Sequence, residues 1–215
     1  MTEAAFVRAN TALAAPPLAP ELRVHLATEV TPLWQATEAT LARANLPPPY
    51  WAFAWPGGQA VARHVLDRPE LVIGRTVLDF AAGSGLVAIA AARAGAARSV
   101  AAEIDGFAGA AIALNAAANA VSVEIRLSDL VGDPLPGVDI VLAGDICYER
   151  PMADLVVPWL RRLAATRTVI IGDPGRAYIP KDGLEILAEY DVPTPLDLED
   201  REMRRTTVYR VLAAN

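Results

Sequence analysis

The chain has 215 residues, of which 53% are hydrophobic and 20% are charged, and its formal net charge is −6. This length and composition predict one globular domain rather than a disordered chain. The acidic balance argues against a nucleic-acid partner, because binding phosphates requires a basic surface. With one cysteine and two histidines, we expect neither a disulfide framework nor a zinc site.

No stretch of the sequence predicts targeting or membrane insertion. The first residues include Glu3 and lack the basic start and apolar run of a signal peptide. The most apolar region, residues 86–104, is interrupted by Arg93, Arg98 and Glu103 and is therefore unsuited to cross a bilayer. We expect a soluble, cytoplasmic, monomeric protein with no membrane contact.

The first fifty residues predict a helical cap. A short helix over residues 1–15 should end at the prolines from Pro16 onward, and residues 22–27 predict a short strand or extended segment. Thr31 and Pro32 predict a second helix, running to about Ala44, because a capping hydroxyl is followed by proline at the first helical position. No linker follows, so we interpret residues 1–50 as a cap on a single domain spanning 1–215.

An aromatic segment ending in Trp55-Pro56-Gly57-Gly58 comes next and leads into a predicted helix over residues 59–66. One interpretation is an aromatic plug in the core. The other is that Gly57 and Gly58 open a helix N-terminus beside a bound ligand, with the aromatic rings facing a cation.

The stretch Val77–Gly95 predicts a strand, a glycine-rich turn and a helix, which is the start of a βαβ unit that binds a nucleotide-like ligand. Glycines such as Gly83 and Gly85 let the backbone turn sharply near a ligand. Asp79 at the end of the strand would repel a pyrophosphate but attract a cationic amino group. S-adenosylmethionine has such an amino group and no phosphate, so it is the predicted cofactor. A simple tight turn is the alternative, and a dinucleotide oxidoreductase is disfavoured.

Apolar strands and helices alternate after residue 76. Strands are predicted at 76–80, 99–104, 123–127, 138–143 and 168–171, with helices at 86–94, 107–120 and 152–164. The crossover helices imply a parallel sheet covered on both faces. Residues 185–192 and 206–212 lack a crossover helix, so they should form an antiparallel hairpin at one edge. The predicted class is α/β, with a Rossmann-like sheet of five parallel strands and this hairpin.

Acidic residues end all five parallel strands: Asp79, Glu103, Asp129, Asp145 and Asp173. In open α/β sheets ligands bind outside the carboxyl ends of the strands, so these positions predict a cationic, hydroxyl-bearing ligand and a cationic substrate. Glu103 is predicted to accept both ribose hydroxyls. Asp129 is placed to accept a hydrogen bond from the adenine amino group or, alternatively, only to begin a turn.

Asp105, by contrast, is predicted to cap the next helix. Cys147 is interpreted as packing, and Met152, Leu155, Val156 and Trp159 as core positions of one helix. The polar segment 197–205 is either a docking surface or a solvated loop.

Three motifs carry a resemblance to a known family. Asp145-Ile146-Cys147-Tyr148 follows the fourth parallel strand, and it accompanies Trp55-Pro56-Gly57-Gly58 and Gly172-Asp173-Pro174-Gly175-Arg176. Over residues 22–212 the chain resembles the seven-stranded methyltransferases that modify lysines of the electron transfer flavoprotein β-subunit. One departure is Ala81, where many methyltransferases have glycine. Because alanine prefers negative φ, we expect a slightly altered loop there.

The resemblance implies an S-adenosylmethionine-dependent protein-lysine N-methyltransferase whose partner is the electron transfer flavoprotein β-subunit. In catalysis, Asp145 would orient the lysine ammonium and Tyr148 would line its channel. Otherwise these two residues would be a turn cap and a half-buried core tyrosine. Asp173 and Arg176 would shape the substrate side or brace their loop by a mutual ion pair. The residues predicted to bind the cofactor are Trp55, Gly57, Asp79, Ala81, Gly83, Gly85, Glu103, Asp129 and Asp145.

Other functions fit parts of the same pattern. The strand-end acids suit a small amine or pyridine, as in a nicotinamide-type N-methyltransferase, and another protein such as a ribosomal protein is a further alternative substrate. A module that binds S-adenosylmethionine without turnover is the non-enzymatic alternative.

Overall fold

The computed structural model describes residues 2–36, 41, 48–195, 199 and 201–214. Its strands are β1 (Ala12–Ala14), β2 (Val24–Leu26), β3 (Thr76–Phe80), β4 (Arg98–Glu103), β5 (Glu124–Leu127), β6 (Ile140–Gly144), β7 (Thr168–Asp173), β8 (Leu184–Pro193) and β9 (Met203–Val211). Its α-helices are α1 (Glu3–Asn10), α2 (Pro32–Gln35), α3 (Pro56–Asp67), α4 (Leu86–Arg93), α5 (Gly106–Ala118) and α6 (Arg150–Leu163). From β3 to β7 each predicted element is confirmed, with ends that differ by at most two residues.

The main sheet has seven strands in the order β5-β4-β3-β6-β7-β9-β8. The pairs from β5 to β7 are parallel, whereas β9 is antiparallel to both β7 and β8. The predicted fold class and the predicted antiparallel hairpin at one edge are therefore confirmed. The strand order reverses between β3 and β6, the point where open α/β sheets bind ligands.

Alternating side chains of the central strands divide the core into two layers. Val77, Ile140 and Ile170 face α3 and α4, whereas Leu78 and Val141 face α6. These strands are apolar on both faces because helices cover both. A smaller cluster joins α4, β4 and α5.

The N-terminal segment differs from the predicted helical cap. After α1 the chain forms a two-stranded antiparallel sheet of β1 and β2 instead of continuing as a helix. Helix α2 ends at Gln35, since Ala36 has extended backbone angles, and the rest of the predicted second helix lies mostly outside the described residues. This segment packs on α5, where the buried amides of Asn115 and Asn119 accept hydrogen bonds from the backbone of His25 and Arg23.

One position of α6 was predicted wrongly. Val156 and Trp159 are buried as expected, but Leu155 is 65% exposed because its face of the helix points away from the sheet. Separately, no helix among the described residues has both the length and the apolarity to cross a membrane.

Candidate active site

A cleft opens at the carboxyl ends of β3 and β6, between the glycine-rich turn and the start of α3. It has a volume of about 370 Å³, including its open mouth. Its lining includes Phe53, Ala54, Trp55, Gly58, Asp79, Ala81, Ala82, Gly83, Ser84, Leu86, Val87, Gly144 and Asp145.

The turn after β3 contains left-handed backbone at three positions. Gly83 and Gly85 have φ values of +53° and +75°, which glycine adopts without strain. Ala81 also has a positive φ of +53°, so the expectation of a negative φ at this alanine is wrong. Its methyl group is accommodated in a conformation that favours glycine. The turn therefore keeps the glycine-type path despite the substitution.

Asp79 lies at the base of the cleft and is almost completely buried. Its Oδ2 accepts a hydrogen bond of 2.9 Å from the backbone N–H of Ala88, which ties β3 to α4. Among the described residues its Oδ1 has no hydrogen-bond partner. Burial raises the pKa of this carboxyl group to about 8. The site therefore contains a buried carboxyl oxygen available to a donor, preferably one with a positive charge.

Glu103 accepts backbone hydrogen bonds with both carboxylate oxygens. Oε1 lies 2.7 Å from the nitrogen of Gly83 and Oε2 lies 2.9 Å from that of Ile104. Its pKa is raised, chiefly by burial. Asp105 caps α5, as predicted, by accepting from Phe107 N–H at 2.8 Å. Glu103 thus borders the glycine-rich turn but is not part of the cleft lining.

Asp129 is exposed and lies outside the cleft lining. Its carboxylate accepts a hydrogen bond of 2.9 Å from the N–H of Val131. This contact matches the turn-starting alternative, and the role of Asp129 in binding adenine stays a prediction.

The start of α3 packs directly on the ends of two strands through glycines. A Cβ built on Gly57 would overlap the carbonyl oxygen of Gly172, and one built on Gly144 would overlap the backbone of Gly58. A Cβ on Gly172 would in turn overlap the carbonyl oxygen of Gly57. Gly57, Gly144 and Gly172 are therefore required for one close approach of backbones.

Asp145 joins this helix start to the loop after β6. Its Oδ2 accepts from the N–H groups of Gly57 at 2.6 Å and Gly58 at 3.2 Å, at a helix N-terminus that favours negative charge. Asp145 is 9% exposed, and its φ is +54°, a left-handed value that aspartate tolerates better than most residues. Burial raises its pKa, opposed by the neighbouring guanidinium of Arg176.

Arg176 spans two carboxylates at the side of the site. It donates to Oδ1 of Asp145 from Nε at 3.1 Å and from Nη2 at 2.8 Å, and to Glu199 from the same Nη2 at 2.6 Å. Its guanidinium carbon lies 5.8 Å from the ring centroid of Trp55.

Asp173 braces the loop, but not through the predicted ion pair with the side chain of Arg176. Asp173 Oδ1 accepts instead from the backbone N–H groups of Gly175 and Arg176, at 2.7 and 2.6 Å, and this braces the loop. Its Oδ2 is buried without a hydrogen-bond partner among the described residues. Burial is the main reason that its pKa is raised to about 6.

Sequence reasoning missed Glu199. Only part of the segment 197–205 is described, and there Glu199 is 6% exposed rather than solvated, while β9 already begins at Met203. An acidic residue in a charged loop gives no sign of burial by itself, and one of its arginine partners, Arg176, lies 23 residues earlier in the sequence. Nearby arginines in the same hairpin were the one available signal.

Aromatic rings form a wall from the cleft outward. The ring centroids of Tyr148 and Tyr50 are 5.5 Å apart, and those of Tyr50 and Trp55 are 6.1 Å apart. Tyr148 is 38% exposed, and burial contributes most to raising its pKa to about 12. Trp51 is buried in the core, whereas Phe53 and Trp55 line the cleft. The core interpretation therefore holds for Trp51, and the ligand-facing role of Phe53 and Trp55 stays a prediction.

Cys147 is completely buried and free, and burial raises the pKa of its thiol to about 12. A thiol that stays protonated is a poor nucleophile, in keeping with a packing role.

Comparisons with known proteins agree on a methyltransferase. The model of the family described as ribosomal protein L11 methyltransferase (PrmA) matches residues 64–171. A relative from Xenopus laevis named electron transfer flavoprotein beta subunit lysine methyltransferase is 35% identical over 211 residues, covering 95% of this chain and 85% of the relative. The protein of the same name from Homo sapiens is 40% identical over 179 residues, covering 80% of this chain and 66% of its own length.

Solved structures share the fold. Magnesium protoporphyrin IX methyltransferase from Synechocystis PCC 6803 with bound SAM aligns with a TM-score of 0.52 and 22% identity, over 72% of this chain and 79% of that one. A ribosomal protein L11 methylase from Lactobacillus delbrueckii subsp. bulgaricus aligns with a TM-score of 0.52 and 19% identity, over 74% and 81%.

Proposed function

Because this chain belongs to the family of electron transfer flavoprotein beta subunit lysine methyltransferases, we propose that its substrate is the β-subunit of electron transfer flavoprotein. The reaction is protein-lysine N-methylation with S-adenosylmethionine as methyl donor. The observation that carries the proposal is the placement of Asp145: it lines the cleft beside Trp55, where the aromatic wall begins.

The cleft fits the cofactor in its charge and its shape. Asp79 Oδ1, which has no partner among the described residues, suits the cationic amino group, and the turn at Gly83 and Gly85 brings backbone close to the ligand. Gly57 places the start of α3 beside the same space, and Ala81 and Trp55 complete its sides. We assign these residues to cofactor binding, with Glu103 as the acceptor for the ribose hydroxyls.

When bound, S-adenosylmethionine supplies a methyl group that its sulfonium already activates for transfer. The protein's task is therefore to present a neutral lysine amine in line with that group. A free lysine has a pKa near 10.4, so presenting the neutral amine at pH 7 costs about 4–5 kcal/mol. Desolvation by the ring of Tyr148 and its neighbours lowers that cost, because burial disfavours the charged ammonium.

We propose that Asp145 orients the incoming amine and that Tyr148 lines its path. Both oxygens of Asp145 already accept hydrogen bonds, from Gly57 and Gly58 on one side and Arg176 on the other. Its carboxylate is therefore held in one orientation before the substrate arrives, which is the preorganisation that positioning requires.

Replacing Asp145 by Asn tests this role. Asn keeps the shape and tolerates positive φ, but it loses the negative charge, so we expect methyl transfer to fall by about 100-fold or more. Intact-mass measurements on the β-subunit, incubated with S-adenosylmethionine and each enzyme, would show the methyl increments. The control is Asp182→Asn. Asp182 also forms an ion pair with an arginine, Arg161, but its side chain is 85% exposed.

Full activity of the Asp145→Asn enzyme would refute the role of this carboxylate. No mass gain with the wild-type enzyme, with cofactor binding verified separately, would refute the substrate. Methylation of ribosomal proteins in the same assay would then favour the alternative that the matching family model suggests, and methylation of free amines would favour a small-molecule enzyme.

We propose in addition that nucleic acid is not a substrate and that the enzyme acts as a monomer. The formal net charge of −6 supports the first point, because a polyanion would be repelled.

A further inference from the structure

We propose that Glu199, in the loop between β8 and β9, is a positioning residue for methyl transfer that holds Arg176 against Asp145 and the ring of Trp55. The inference rests on the function proposed above. It assigns a role to one residue of the segment 197–205, for which the sequence left open a docking surface or a solvated loop.

The contacts form a continuous chain. Glu199 Oε1 accepts from Nη2 of Arg176 at 2.6 Å, and Oε2 lies 3.3 Å from Nη1. The same guanidinium donates to Asp145 Oδ1 from Nε and Nη2. Its donors are thus divided between the two carboxylates, and this fork geometry fixes the plane of the group.

Glu199 is itself anchored. Its Oε2 accepts from Nε of Arg204 at 3.0 Å and from Nη2 at 2.9 Å, and its backbone N–H donates to the carbonyl of Pro195. Its side chain is only 3% exposed. Removing one partner from a buried ion pair costs stability, because the remaining charge is left unpaired.

The sheet explains how this loop reaches the site. Asp173, the last residue of β7, pairs with Thr207, so residues 203–206 of β9 extend beyond the carboxyl end of β7. The end of the β8–β9 hairpin therefore rises beside the site. From there Glu199 contacts Arg176, which is 23 residues earlier in the chain.

The need for such a contact follows from the nature of arginine. Its side chain has many rotamers, and a ring contact at 5.8 Å is a weak restraint. Glu199 restricts those rotamers. The charges of the connected groups also balance, because two carboxylates, Asp145 and Glu199, contact two guanidiniums, those of Arg176 and Arg204. A mobile Arg176 would shift Asp145 and place a variable cation where the lysine must arrive.

Glu199→Gln and Glu199→Asp test the inference, with Glu189→Gln as the matched control. Glu189 pairs with Arg205 at 2.6 Å on the same hairpin, but both side chains are much more exposed. For Glu199→Gln we expect kcat on the β-subunit to fall about 10- to 100-fold, with KM and cofactor affinity within about twofold of wild type. Glu199→Asp keeps the charge and should restore part of kcat. The control should match wild type.

A second readout needs no protein substrate. The Arg176 Nε–H resonance, assigned with Arg176→Lys, should exchange slowly with water in wild type and in the control, and rapidly in Glu199→Gln. An unchanged kcat or an equally protected resonance in Glu199→Gln would overturn the inference. So would equal losses of kcat, cofactor affinity and Tm in both Glu199 variants. If the wild-type enzyme fails to methylate the β-subunit, the proposed substrate falls, and the resonance still decides whether Glu199 holds Arg176.

Discussion

Three carboxylates at this site accept hydrogen bonds from backbone amides. Asp79 accepts from Ala88, Glu103 from Gly83 and Ile104, and Asp145 from Gly57 and Gly58. Apart from the local bond from Ile104, each of these bonds joins a strand end to a turn or helix start. Asp79 and Asp145 therefore shape the cleft and also present charge inside it, and a substitution at either affects both.

Ala81 provides a test at the scale of one residue. Its left-handed backbone costs an alanine about 1–2 kcal/mol, whereas glycine adopts it freely. We expect Ala81→Gly to raise the free energy of unfolding by about 0.5–1 kcal/mol, less than the strain relieved because glycine is also freer when unfolded. Chemical denaturation measures this value.

The neighbouring alanine is the control for that test. Ala82 is not among the residues with positive φ, so Ala82→Gly should be neutral or destabilising. If both glycine variants change stability alike, the strain at Ala81 is not the cause.

At the scale of elements, α3 approaches the ends of β6 and β7 closely. The backbones meet at Gly57, Gly144 and Gly172 with no room for a side chain. This contact brings the N-terminus of α3 to Asp145, so the packing of the helix and the position of the Asp145 carboxylate depend on each other.

Adjacent glycines at the start of α3 allow a matched test of this contact. An added Cβ at Gly57 would overlap Gly172, whereas one at Gly58 meets no atom within 4 Å. We expect Gly57→Ala to destabilise the fold by about 1–3 kcal/mol through overpacking. Gly58→Ala should stabilise it by up to about 1 kcal/mol through helix propensity. Thermal unfolding compares the two, and equal effects would contradict the packing argument.

Across the whole molecule, buried acids couple stability to pH. A carboxyl group whose pKa is higher in the folded than in the unfolded chain binds protons more tightly when folded, so stability falls as pH rises toward the folded pKa. Burial raises the pKa of Asp79 to about 8 and that of Asp173 to about 6. His25 and His64 act in the opposite direction below pH 6.5, because burial lowers their pKa values.

Between pH 6.5 and 8 the contribution of Asp79 should therefore dominate, and we expect Tm to fall with rising pH. Asp79→Asn keeps an acceptor for Ala88 N–H but cannot titrate, so its slope should be shallower. Saturating S-adenosylmethionine should also reduce the slope in wild type, because its amino group favours the ionised carboxylate. Calorimetry at several pH values measures these slopes. A Tm that rises over this range in wild type would contradict the argument.

The sequence predicted the order of the strands and helices after residue 76 correctly, because strands that are buried on both faces appear as long apolar runs. It also located the acids at the strand ends, and its motifs indicated the family. It was wrong over residues 11–15, where β1 replaces the end of the predicted helix, because β1 depends on pairing with β2. Its alternative of a short strand within residues 22–27 is confirmed by β2. It also misplaced Leu155, whose helix face only packing decides.

The contacts that these acids make depend on the tertiary structure. Asp145 meets Gly57 across 88 residues, and Glu199 meets Arg176 across 23. Such contacts depend on where separate elements come together, and no local pattern records that. Ala81 is a similar case: its own preference is for negative φ, and the positive value is imposed by the strand and helix on either side of the turn.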